Sequence, residues 1–140
     1  MGKKLQAVIF DMDGTMVDSE TYYAKMVGEI VAQYGYTFSK EDTVRLYGCS
    51  IELENILIQG YLKQYTLEEI QVLKKTYFNE HPIDYSVSLN PGVRELVELL
   101  HENGIRMAIC SSNEKQAVER MLRQTGLGKY ISLISAKGDV

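Results

Sequence analysis

The chain has no tryptophan, only two cysteines, no surplus of basic residues and no long apolar run. Each absence excludes something. No stretch approaches the roughly 18 apolar residues that a membrane span requires. The basic start, Met1-Gly2-Lys3-Lys4, is followed by a short apolar stretch, Leu5 to Phe10, which runs straight into acids and does not read as a signal peptide. Cys49 and Cys110 form no CxxC pair, so free thiols in a reducing cytoplasm are expected. Fifteen Lys and Arg against nineteen Asp and Glu leave a formal charge of −4. That balance argues against nucleic-acid binding, which rests on a basic face that neutralises phosphates. The 140 residues, 45% apolar and 24% charged, fit one soluble domain with a single core.

The periodicity changes twice along the chain. Gln6 to Phe10 is a nearly continuous apolar run ending at Asp11, the pattern of a strand buried on both faces. From Glu20 the spacing is helical, with Tyr23, Met26, Val27, Ile30 and Tyr34 on one stripe until Gly35. Ser39 and Ser50 can cap the next two helices, the second closing at Gly60. Thr66-Leu67-Glu68-Glu69 reads as a capping box for a further helix. The α/β pattern returns after Pro91, which suits a first helical turn. A helix to Asn103-Gly104, a strand over 105–110, a helix to Gly126 and a strand over 131–134 follow. Short links between helix and strand imply parallel strands joined by right-handed crossovers. The expected architecture is therefore α/β: a Rossmann-like parallel-sheet core over 1–15 and 83–140, with an all-helical cap inserted over 16–82.

Chemistry first suggests itself at Asp11-Met12-Asp13-Gly14-Thr15, placed at the carboxyl end of the first strand, where open parallel sheets bind ligands. Two carboxylates two residues apart on a loop can diverge, one attacking or holding a metal while the other moves a proton. Gly14 permits a sharp turn. Taken alone, the same residues also suit a solvated acidic turn.

The string VIFDMDGTMVDSE resembles the opening of the haloacid dehalogenase-like hydrolase superfamily. NPGVRELVELLHENGIRMAICSSNEKQAVERMLRQTGLGKYISLISAKGDV is similar to that family's second block, and the intervening helices resemble its caps in kind. The resemblance implies that Asp11 is the nucleophile that takes a phosphoryl group as an aspartyl-phosphate, and that Asp13 is the general acid and then base. It implies Mg2+ held by Asp11 and the carbonyl of Asp13. Magnesium also suits phosphoryl transfer on its own chemistry, as a hard cation that neutralises phosphate charge. Ser111 matches the family's phosphate-binding hydroxyl, with Ser112 and Asn113 beside it at a helix start that favours an anion; an ordinary helix cap is compatible with the same residues. Asp13 favours a phosphatase or mutase over a dehalogenase, which lacks the second acid. The family's sugar phosphomutases carry a histidine at about the position of Tyr23. Arg45, Tyr47 and Gly48, with Tyr23, are the cap's candidate substrate contacts, the substrate being a small phosphorylated metabolite. Cap closure over the core would use hinges near Met16 to Asp18 and Ile83 to Leu89.

Relatives also have a lysine after the third strand and a later acidic motif, and neither matches a residue here; Lys137 falls too early. These residues are therefore expected to be part of a protein roughly half as long again. Alone, they would leave the first strand as an exposed apolar edge open to self-association. A folded but inactive scaffold is the rival to an active enzyme. His81 and His101 are expected on the surface, Cys110 in the core, and Cys49 to be inert. The tyrosines concentrated in the cap are expected to be mostly cap core, some of them near the substrate.

Overall fold

A computed structural model describes residues 2–139. The chain divides into two compact units, one made of Met1–Asp18 with Asp84–Val140 and the other of Ser19–Ile83. The expected boundaries at 15/16 and 82/83 therefore move. Met16 and Val17 are fully buried, Asn90 donates its N–H to the Met16 carbonyl, and Asp18 donates to Ser88. These bonds tie Met16–Asp18 into the α/β unit, in a segment expected to be a hinge.

The α/β unit is a parallel sheet of β1 (Ala7–Phe10), β2 (Arg106–Cys110) and β3 (Leu133–Ser135), in that order. Ala7 faces Arg106 and Phe10 faces Ile109; Ala108 faces Leu133 and Cys110 faces Ser135. The parallel register follows from the crossovers, which return each strand to the same end. β1 lies at the edge, the position expected for it in these residues alone, and Ile9 is 71% exposed, so here the strand is not buried on both faces. An apolar run marks β propensity, but burial is set by neighbours the run does not contain. Cys110 is likewise exposed rather than core.

Two helices cross between the strands. In the first, Val93–Glu102, Val97 and Leu100 are buried; it starts after Gly92 at φ 85°, so Pro91 sits in the preceding turn rather than in the helix. In the second, Lys115–Thr125, Val118, Met121 and Leu122 are buried, and Gly126 at φ 71° ends it. A one-turn helix, Tyr85–Ser88, packs against Lys115–Thr125 and buries Tyr85 within the second expected hinge.

The helical unit consists of Ser19–Ala32, Lys40–Leu46, Ile51–Tyr61 and Leu67–Glu80. Ser39 and Ser50 cap as expected, and the Thr66–Glu69 capping box closes in both directions. Gly60 lies inside its helix, which ends one residue later. Met26, Val27, Ile30, Ile58, Leu62 and Ile70 form the core of this unit. Several tyrosine hydroxyls bond to protein groups: Tyr61 donates to Asp42, Tyr65 to Tyr34 and Tyr22 to the His81 carbonyl. Among the described residues no helix is long and apolar enough to cross a membrane.

Candidate active site

Phe10 is the last residue of β1, and the buried Met12 anchors the turn that follows. The Met12 carbonyl accepts N–H groups from Met16 and Val17 at 2.9 and 3.1 Å, and Gly14, at φ 75°, donates to Val17 at 2.9 Å. This compact turn lifts Asp11 and Asp13 off the carboxyl end of the strand. Asp11 is exposed, and its Oδ1 accepts the Met12 N–H at 2.9 Å.

β2 delivers the second half of the site. Ser111, 7% exposed, donates its N–H to Ser135 at 2.9 Å, which fixes it at the carboxyl end of the sheet. Its Oγ accepts the Asn113 N–H at 3.0 Å. Asn113 then reaches across the sheet end, and its Nδ2 donates to Asp13 Oδ2 at 3.2 Å. Parallel pairing thus joins Asp13, Asn113 and Ser111, residues about a hundred positions apart. The other oxygen, Asp13 Oδ1, is buried with no hydrogen-bond partner. Ser112 is exposed. Asn113 does not cap the helix; the cap residue is Glu114, to which Asn113 Oδ1 is bonded at 2.8 Å. Lys137 donates its N–H to the Asn113 carbonyl, but its ammonium pairs with Glu114 at 3.2 Å.

Tyr85 and Arg120 are the neighbours that sequence reasoning missed. The Arg120 guanidinium lies 5.6 Å from the centre of the buried Tyr85 ring, and Gln124 accepts the Tyr85 N–H at 2.8 Å. Burial pushes the Tyr85 phenol above its usual range, the charge of Asp13 adds to this, and a hydrogen bond with Arg120 opposes it. No motif marks this pair, because only the packing of two short helical segments brings it to Asp13.

No group of three or more His, Cys, Asp or Glu side chains forms a metal cluster among the described residues. The turn nevertheless offers hard oxygen donors in the exposed Asp11 carboxylate and the Asp13 carbonyl. Such a set fits a cation that keeps several waters, as Mg2+ does. The remaining candidates lie in the helical unit. Arg45 is engaged by Glu41 and Asp42, both at 3.3 Å. Tyr47 is half exposed, and Gly48 makes the turn beside it at φ 70°. Tyr23 packs edge-on against Tyr22, with ring centres 5.4 Å apart.

Residues 8–140 match the model of a family described as haloacid dehalogenase-like hydrolase. The chain belongs to that family. Similar members of this hydrolase family include a phosphorylated carbohydrates phosphatase of Thermotoga maritima, 30% identical over 137 residues, which cover 93% of this chain and 60% of the relative. A phosphoglycolate phosphatase of Vibrio parahaemolyticus is 28% identical over 136 residues, covering 90% of this chain and 58% of the relative. The chain thus spans about 60% of the length of these curated relatives. A solved haloacid dehalogenase-superfamily hydrolase from Geobacter sulfurreducens, 20% identical, superposes with a TM-score of 0.73 over 97% of this chain and 64% of its own, a likeness of fold.

Proposed function

We propose that the protein containing these residues is a magnesium-dependent phosphoric monoester hydrolase acting on a small phosphorylated metabolite in the cytoplasm. The observation that carries this is the joining of the Asp11–Asp13 turn to Ser111 and Asn113 at one end of the sheet. In this reading Asp11 attacks phosphorus as the exposed carboxylate, forming an aspartyl-phosphate. Asp13 protonates the leaving alcohol and later takes the proton of the attacking water. Asn113 holds Asp13 and, with Ser111 and Ser112, borders the phosphate. Bound Mg2+ supplies charge neutralisation of the phosphoryl oxygens, held by Asp11 and the Asp13 carbonyl. Tyr23, Arg45, Tyr47 and Gly48 are proposed substrate contacts. The phosphatase names of the relatives support hydrolysis, and a tyrosine at position 23 weighs against the mutase alternative.

The test is phosphate release from an aryl phosphate with and without Mg2+. Asp11→Asn is expected to abolish turnover, and Asp13→Asn to lower kcat by roughly a hundredfold or more. Metal-independent release, or release unchanged in Asp11→Asn, would refute the assignment.

A specific observation favours a second reading, in which the 140-residue chain by itself is a self-associating scaffold without turnover. Gln6 accepts the Arg106 N–H, so in a parallel ladder Leu5, Ala7 and Ile9 turn their backbone groups to the open edge. Leu5 and Ile9 are also exposed side chains. Ile9→Lys is expected to shift the mass measured by light scattering from dimer to monomer. A monomeric parent chain would exclude self-association.

A further inference from the structure

A cleft of about 280 Å³ opens at the amino ends of β2 and β3. His101, Arg106 and Lys129 line it, with Ile105 and Ile131 as apolar walls, and no lining residue is a carboxylate. This is an unusual concentration in a chain of net charge −4. Tyr130 organises it: Lys129 Nζ lies 5.1 Å from the ring centre, and the His101 ring meets it edge-on at 4.9 Å. Among the described residues neither Arg106 nor Lys129 has a carboxylate partner. Basic side chains that line one cleft with no carboxylate among them leave positive charge that an anion can neutralise.

We propose that this cleft is a second anion site, built for a phosphate group and distinct from the Asp11–Asp13 turn. The Ser132 hydroxyl is already donated to the Met107 carbonyl at 3.0 Å, so the side-chain donors left for the anion are Arg106, Lys129, His101 and the Tyr130 hydroxyl. Arg106 can offer a bidentate fork and Lys129 a point charge, the usual division of labour on phosphate. The volume exceeds that of one phosphate and leaves room for a small organic group. Four steps of β2 separate Arg106 from Cys110, about 13 Å at 3.3 Å per residue, so a ligand here cannot touch the reacting aspartates. The site binds without taking part in chemistry, and it stands whether or not the phosphatase reading holds.

The test is a titration of amide resonances with inorganic phosphate and, separately, with phenyl phosphate. No divalent cation is added, and ionic strength is held constant with sodium chloride. Saturable shifts are expected over 101–107 and 129–132, weakened roughly tenfold in Arg106→Gln and in Lys129→Gln, as for loss of one charge-assisted hydrogen bond. Tighter binding of phenyl phosphate assigns the site to a phosphorylated metabolite, and equal binding assigns it to inorganic phosphate. Shifts reproduced by chloride alone, or unchanged in both variants, would overturn the proposal. Both variants are at exposed side chains, and their unchanged spectra elsewhere report that the fold is kept.

Discussion

Asp42 stays ionised further into acid than an ordinary aspartate because Tyr61 donates to its Oδ2 at 2.6 Å, with Ser39 and Arg45 adding to the effect. Tyr61 does two jobs, since its oxygen also accepts the Ser39 N–H at 3.0 Å. A carboxylate whose folded pKa is depressed contributes stability above its unfolded pKa, near 3.9, and that contribution is lost as pH falls through the folded value. In Tyr61→Phe the depression shrinks, so the contribution at neutral pH is smaller and is exhausted at a higher pH. The Asp42 carboxyl resonance is expected to titrate closer to the ordinary range, with the acid-unfolding midpoint moving up in parallel; an unmoved Asp42 titration would refute the link. Ser39 was readable as a cap because capping is local, three residues from donor to acceptor. Tyr61 was not, because its bonds to Asp42 and Ser39 are made by tertiary packing. The site divides the same way. Asp11, Asp13, Ser111 and Asn113 were legible as motif residues, but the Asn113–Asp13 bond spans a hundred positions and exists only once β1 and β2 pair.

Elements were legible where their signals are local and failed where neighbours decide. The Thr66–Glu69 box is seen in full: Thr66 Oγ1 accepts the Glu69 N–H at 3.2 Å, and Glu69 accepts the Thr66 N–H at 2.7 Å. Thr66→Ala removes the first of these bonds and strands the Glu69 N–H, at a cost of about 1 kcal/mol. Chemical denaturation followed by helical ellipticity checks this, with a lowered midpoint and an unchanged slope. The helix Tyr85–Ser88 escaped notice because four residues carry no periodicity; Tyr85 is held there by Gln124 and Arg120, contacts from another helix. Gly60 misled for a related reason. Glycine is a common stop, but the helix continues to Tyr61, whose ring packs against Phe38 at 5.1 Å. β1 was placed almost to the residue, and its exposure followed from the strand order rather than from its own composition.

The molecule as a whole is one continuous helical segment inserted into a discontinuous α/β unit. Continuity has a thermodynamic meaning. The segment Ser19–Ile83 brings its own core of Met26, Val27, Ile30, Ile58, Leu62 and Ile70, together with an internal Lys74–Glu54 ion pair whose ammonium also donates to Asn55 at 2.9 Å. All of these partners lie inside the segment, and so do the hydrogen bonds of Tyr61, Tyr65 and Tyr77. The α/β unit differs, because β1 must find β2 across the whole insertion, a non-local pairing with a loop-closure cost. A peptide of residues 19–83 is therefore expected to fold without the rest, though with the narrow margin of a domain of that size. Far-UV circular dichroism should show a cooperative, reversible helical melt, and Ile58→Ala should lower its midpoint by creating a cavity worth about 2–5 kcal/mol. A peptide that melts without cooperativity, or with a midpoint indifferent to Ile58→Ala, would mean that the helical unit depends on the sheet for its structure.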